Sequence, residues 1–259
     1  MTAFLLTVLA CFGLLIGSFL NVVVWRVPRG ESIVRPPSAC PSCHALIRPR
    51  DNVPVISWLL LRGRCRACGC AISRRYPIVE ASTALVFVLV GLRLGATSAL
   101  PAFVYLAGVA IALALIDLDT HRLPNAIVLP SYLVIGVLLL LASGGSGDWS
   151  AMWRALIGGA AMYAFYFVAM VVYPAGMGFG DVKLAGLLGL CLGWLGWGAL
   201  VVGWFAAFLL GGSYAVGLLA ARKADRRTGI AFGPWMLLGA AVGIGAGVPL
   251  WHAYLAVII

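Results

Sequence analysis

The sequence predicts an all-α polytopic membrane protein of about eight transmembrane helices with one long polar loop, and three observations carry that prediction. Of 259 residues, 63% are hydrophobic and only 10% charged, against roughly 45 to 50% and roughly 25% in an ordinary soluble domain. The apolar residues gather in windows of about 20, the length that crosses a hydrocarbon core of about 30 Å at about 1.5 Å per residue. The net charge of +10 lies between those windows rather than within them. A soluble globular enzyme is thereby excluded, and so is a disordered chain, which lacks apolar residues in such excess. Basic residues collected in loops between spans point to a lipid bilayer as partner and to no nucleic acid.

The windows, in order, are 3–25, 78–97, 100–117, 125–143, 151–173, 182–195, 197–220 and 231–258. The first reads as a retained span rather than a secretory signal, since no basic stretch precedes it and its length suits a full crossing. Pro101, Pro124, the Gly144 to Gly147 stretch and Pro174 separate later windows. The sixth is short, and its border with the seventh falls at Gly196. Ten arginines lie between Arg26 and Arg75, and four more basic residues between Arg222 and Arg227. If the loop 26–77 is inside, all of the 18 basic residues except Arg93 and Arg154 fall on or beside the inner face. The expected topology therefore puts both termini outside. The expected organisation is a first transmembrane helix at 1–25, a cytoplasmic loop at 26–77 and a seven-helix membrane domain at 78–259.

The loop holds Cys40-Pro-Ser-Cys43 and Cys65-Arg-Ala-Cys68. Two such pairs supply four thiolates, the set a structural Zn²⁺ takes in tetrahedral array, so Cys40, Cys43, Cys65 and Cys68 are the candidate ligands of a zinc-ribbon-like loop. A reducing cytoplasm disfavours disulfides as the alternative use. Cys70, two residues past Cys68, is a rival for the fourth position. Cys11 and Cys191 lie inside spans and read as small buried hydrophobes.

Only eight residues are acidic, and three of them flank spans: Asp117 and Asp119 at the end of the third, Asp181 at the start of the sixth. An acid within a span costs roughly 2.5 to 3.5 kcal/mol at its centre on insertion scales, so its presence asks for a use. Asp117 and Asp181 share the cytoplasmic side in the expected topology. Two carboxylates that converge suit acid/base hydrolysis, one deprotonating water while the other, protonated, polarises a carbonyl. Asp181 at the positive end of a helix is expected to act as the base, and Asp117 at a negative end to hold the proton. Each aspartate alone also reads as a helix cap or membrane-edge charge, which suits Asp119. Two other classes compete: a proton-coupled secondary transporter with intramembrane aspartates, and a non-enzymatic membrane scaffold docking through a zinc module. Transport predicts a midplane site, whereas both acids fall at one face. Gly178 and Gly180, just before Asp181, leave room for an extended substrate strand.

At this point the chain resembles the type IV prepilin peptidase family, bacterial membrane aspartic proteases with a Gly-x-Gly-Asp signature. The resemblance runs through Gly17-Ser-Phe-Leu-Asn21, both cysteine pairs, Ser57-Trp58, Leu61-Arg-Gly-Arg-Cys65, Arg75-Tyr-Pro-Ile-Val-Glu80, Asp117, Gly178-Phe-Gly-Asp181-Val-Lys-Leu and Phe232-Gly-Pro234. Ala231 stands where many members carry proline. The resemblance implies an inner-membrane enzyme that cuts the leader from prepilins and pseudopilins after its final glycine at the cytoplasmic face. It implies further that the new N-terminus is methylated with S-adenosylmethionine. Carried over by position, Asp117 and Asp181 are the catalytic pair, Asp119 is dispensable, and Cys40, Cys43, Cys65 and Cys68 are the zinc ligands of a methyltransferase-associated loop. No Gly-x-Gly-x-x-Gly nucleotide fingerprint is present. Glu80 is a candidate for holding the substrate amine or the methyl donor, or else an interfacial anchor.

Overall fold

A computed structural model describes residues 2–174, 176–221 and 231–258. Its helices are α1 (Thr2–Arg26), the short α2 (Ile56–Leu60), α3 (Arg75–Leu94), α4 (Leu100–Thr120), α5 (Asn125–Ser146), α6 (Trp149–Val172), α7 (Phe179–Leu195), α8 (Trp197–Ala220) and α9 (Gly233–Ile258). Among the described residues there is no β-strand, only the isolated bridges Ala39–Leu46 and Arg64–Ala71. The expected basic cluster at Arg222 to Arg227 lies outside the described residues.

Each of the eight expected windows corresponds to a helix, and seven of them are long and apolar enough to cross a membrane. The exception is α7. It begins at Phe179, three residues before the window, and its 17 residues reach only about 26 Å at about 1.5 Å each. Ten of them, from Val182 to Gly193, are buried by neighbouring helices, so α7 has protein rather than lipid around most of its length. Helix ends follow local chemistry. Pro101 opens α4 and Pro124 precedes α5 at φ −63°, positions where a missing N–H goes unneeded. Asp148 caps α6 by accepting the Ala151 N–H at 3.1 Å. Gly196, at φ 142°, turns α7 into α8 in a conformation that glycine alone adopts readily.

The chain divides into two compact units, Met1–Ala96 with Ala107–Ala112, and Thr97–Leu106 with Leu113–Ile259. Lipid gives packed helices no hydrophobic drive to associate, so close backbone approach has to supply the attraction. In the first unit Gly13 and Gly17 of α1 bring it against α3; a Cβ at either would lie 2.5 Å from Ala84 Cα or 2.6 Å from Glu80 Cα. Asn21 donates to the Gly17 and Tyr76 carbonyls at 3.2 and 3.3 Å and ties α1 to the start of α3. The loop is braced by polar contacts because it has little apolar core. Ser57 accepts the Val53 N–H at 2.9 Å and donates to the Arg50 carbonyl at 3.1 Å. The Trp58 indole donates to Ile72 O at 3.1 Å, and Arg66 grips Asp51 through two nitrogens at 2.7 and 2.9 Å. In the second unit, Gly158 on α6 meets Gly189 on α7 with no room for a side chain at either position. The pair Gly203 and Gly243 joins α8 to α9 in the same way.

Candidate active site and metal centre

The last turn of α4 carries both of its acids, and helical geometry separates them. Asp117 and Asp119 are two positions apart, so they cannot face the same way; Asp117 is 5% exposed and Asp119 is exposed. The turn closes where the His121 N–H, from a left-handed residue at φ 51°, bonds the Asp117 carbonyl at 2.8 Å. Among the described residues the buried Oδ2 of Asp117 has no hydrogen-bond partner, and the backbone group nearest the carboxyl is that of Gly233. Buried carboxylate oxygens are nearly always paired in folded proteins, so an unpaired one marks a position kept for a visiting group.

Asp181 stands in the first turn of α7. Its Oδ2 accepts the Gly178 N–H at 3.1 Å, while its own N–H bonds the Gly178 carbonyl at 3.0 Å. Both interactions fix the carboxylate at the positive end of the helix. Leu123 connects the two acids. A Cβ on Gly180 would lie 3.0 Å from Leu123 Cβ, and a Cβ on Gly233 would lie 3.5 Å from Leu123 Cδ2 and 2.6 Å from Asp117 Oδ2. The Gly180 backbone beside Asp181 and the Gly233 backbone beside Asp117 therefore both approach Leu123. A side chain at 180 would crowd Leu123, and one at 233 would displace the Asp117 carboxylate. A Cβ on Gly178 would meet only Asp181 Oδ2 and the Gly180 nitrogen within 4 Å among the described residues. Sequence reasoning gave Leu123 and Asn125 no role. Asn125 accepts from the Lys183 ammonium at 2.8 Å, and that ammonium also sits 4.4 Å above the Phe179 ring. The contact locks the start of α5 to the start of α7, and only the polar pair Asn and Lys flanking apolar spans hinted at it.

The four expected cysteines converge. The sulfurs of Cys40, Cys43, Cys65 and Cys68 all lie within 4.8 Å of one another, with Cys40 and Cys68 3.8 Å apart. A tetrahedron of Zn–S bonds of about 2.3 Å has edges of about 3.8 Å, so this donor set fits zinc. Each pair sits in the same backbone turn. Cys40 N bonds Ala45 O and His44 N bonds Cys40 O; Cys65 N bonds Cys70 O and Gly69 N bonds Cys65 O, all at 2.8 to 3.0 Å. His44 and Gly69, at φ 57° and 71°, occupy the same place in the two turns, a symmetry that the spacing alone did not announce. The amides of Cys43 and Ser42 point at the Cys40 sulfur and pull its thiol down to about 6, which favours the thiolate a metal needs. Cys70 lies 3.4 Å from Cys40 but is not one of the four sulfurs that lie mutually within reach.

Glu80, 7% exposed on α3, accepts the Val55 N–H at 2.7 Å and interacts with Ser18. Val55 is held at φ 59°, unusual for a branched residue, and its bond to Glu80 fastens the loop to α3. Ser18, Ser38, Asn52 and Pro54 line an open cavity of about 250 Å³ in the same unit.

Comparison with known proteins identifies the family of the chain. The model of the bacterial peptidase A24 N-terminal domain matches residues 11–94, and that of the type IV leader peptidase family matches residues 104–216. A prepilin leader peptidase/N-methyltransferase of Aeromonas salmonicida is 35% identical over 96% of this chain and 93% of its own length. Similar proteins of the same name from Pseudomonas aeruginosa and Neisseria gonorrhoeae are 34% and 33% identical, over 94% and 98% of this chain and 91% and 94% of theirs. No solved structure gives a significant match. With a pair of family models covering most of the sequence and relatives aligned almost end to end, the chain belongs to the type IV leader peptidase family.

Proposed function

We propose that this protein is an inner-membrane aspartic endopeptidase that removes the leader of type IV prepilins and pseudopilins after a glycine at the cytoplasmic face, and that methylates the new N-terminus. The observation that carries the reading is the buried Oδ2 of Asp117, without a hydrogen-bond partner among the described residues and set against Gly233, which shares Leu123 with the Gly180 that precedes Asp181. Asp181, held by the Gly178 N–H at a helix N-terminus, takes a proton from water as the water oxygen attacks the scissile carbonyl carbon. Asp117 gives its proton to the carbonyl oxygen. As the C–N bond breaks, the leaving amine takes up a proton and the pair returns to its starting state. Gly178 and Gly180 leave the substrate backbone room to lie extended. Orientation follows the basic residues: loop 26–77 and both aspartates inside, the termini outside.

Residues 26–77 form the methyltransferase-associated part in this reading, and residues 78–259 carry the peptidase. Zinc held by Cys40, Cys43, Cys65 and Cys68 has a structural task, ordering a loop with little core of its own. S-adenosylmethionine supplies the methyl group. The cavity beside Ser18 is smaller than the roughly 300 to 1,000 Å³ that enclose a whole ligand, so it fits one end of the donor at most. Glu80 interacts with Ser18, which lines that cavity, and would hold a cationic group there.

The test is to incubate purified protein with a prepilin and labelled methyl donor, scoring leader loss and N-terminal mass together. Leader loss with one added methyl group is expected; leader loss without mass gain would leave a peptidase alone. Gly233→Ala is expected to lower the cleavage rate by about 100-fold, since a displacement of about 1 Å at a reacting group costs that much and its Cβ would fall 2.6 Å from Asp117 Oδ2. Single-turnover kinetics on the variant checks this.

A further inference from the structure

Tyr166 lies on α6 and is completely buried. Its ring is well placed for packing. It stacks on Phe208 at 5.6 Å, lies 6.3 Å from the ring of Phe232 and meets Phe165 edge-on at 5.6 Å. A phenylalanine would satisfy all three contacts. The hydroxyl has no hydrogen-bond partner among the described residues, and a buried hydroxyl left unpaired is destabilising. The chain retains a costly group that its packing does not use.

The location of that group gives it a use. Phe232 adjoins Gly233, whose backbone lies against the Asp117 carboxylate, and Asp181 interacts electrostatically with the phenol. Two buried oxygens, Asp117 Oδ2 and Tyr166 Oη, thus belong to side chains that flank the Phe232–Gly233 segment in the same compact unit. Neither oxygen finds a partner among the described residues.

We propose that Tyr166 is a third catalytic residue of the hydrolytic centre, its hydroxyl donating a hydrogen bond to the oxygen of the scissile carbonyl as negative charge builds there. This inference rests on the peptidase reading above. The phenol keeps its proton throughout: water adds to the carbonyl carbon, the aspartates exchange the protons, and the C–N bond breaks with a proton passing to the amine. The hydroxyl stabilises the tetrahedral oxygen while it carries charge and releases the new carboxyl group afterwards. A preformed donor aimed at developing charge in a dry site acts mainly in the transition state, so its effect belongs on kcat and not on KM.

Tyr166→Phe removes one oxygen and keeps the ring. On a prepilin substrate its kcat is expected to fall about 100-fold, the size seen when one donor to a developing oxyanion is removed, with KM within about twofold of the parent. Thermal unfolding in detergent is expected at or above the parental temperature, since a buried unpaired group is lost. A fall in kcat of less than about fivefold, or an effect confined to KM, would overturn the assignment. Asp117→Asn runs in the same assay as the control on the reading beneath it. If Asp117→Asn cleaves at the parental rate, the dyad itself fails and this inference with it; if Asp117→Asn is inactive and Tyr166→Phe is fully active, only the third residue is lost.

Discussion

Asp117→Asn and Asp181→Asn are each expected to leave prepilin uncut, with the cleavage rate reduced by about 10⁴-fold or more, as when a member of a concerted catalytic unit is removed. Asparagine keeps the volume and shape of aspartate and removes its acid/base chemistry. At 181 its amide oxygen can still accept the Gly178 N–H, so the start of α7 should hold. At 117, Oδ2 has no hydrogen-bond partner among the described residues, and an amide oxygen can still face the Gly233 N–H that lies near the carboxyl. Both variants should therefore unfold at parental temperatures, and replacing an ionisable group within a span removes an insertion cost. Asp119→Asn, altering an exposed group on another side of α4, should stay within about twofold of the parent. Rates for the three variants, measured beside their unfolding curves, check the assignment.

The second large effect concerns the cysteines. Zinc binding by four thiolates contributes on the order of 10 kcal/mol to folding a small metal-dependent module, and the loop's own stabilising contacts are chiefly polar. Cys40→Ser is expected to lose the bound metal and expose the loop to protease near residues 40–70, as should treatment with a strong chelator. Cys70→Ser should keep one zinc per chain, since Cys70 is outside the set of mutually close sulfurs. Metal analysis and limited proteolysis on Cys68→Ser beside Cys70→Ser distinguish the fourth ligand. Zinc retained in Cys68→Ser and lost in Cys70→Ser would replace the set described here. Asp117 and Asp181 belong to the other compact unit, so peptide cleavage should survive loss of the metal better than methyl transfer does.

Much of this was readable from the chain because the strongest signals are local. Eight apolar windows became eight helices, since the need to satisfy backbone groups in lipid leaves a long apolar segment few other choices. The cysteine pairs met because each Cys-x-x-Cys forms its own turn. Composition could not show that α7 would be enclosed by protein, and a helix so enclosed need not be as long as the bilayer is thick. The sequence could suggest Asp117 and Asp181 as a pair only by topology and resemblance. Their actual link runs through Leu123, Gly180 and Gly233, three residues whose roles depend on which helix faces meet. Gly233 and Leu123 look like ordinary span-edge residues until the close approach to Asp117 is measured, and Tyr166 looks like any aromatic in an apolar run. Asn125 and Lys183 are 58 positions apart, and no periodic pattern relates them. Long-range approach of helix ends is set by packing of glycine faces, which hydropathy does not encode.

The rival reading, in which the aspartates carry protons across the membrane, makes an opposite forecast in a single experiment. The purified protein is reconstituted into vesicles holding a pH-sensitive dye, prepilin is included in the bilayer, and leader release and proton flux are recorded together for the parent and for Asp117→Asn. The dyad account predicts leader release by the parent with no proton flux above that of empty vesicles, and no release by the variant. Uncut prepilin together with a proton flux that disappears in Asp117→Asn would contradict it.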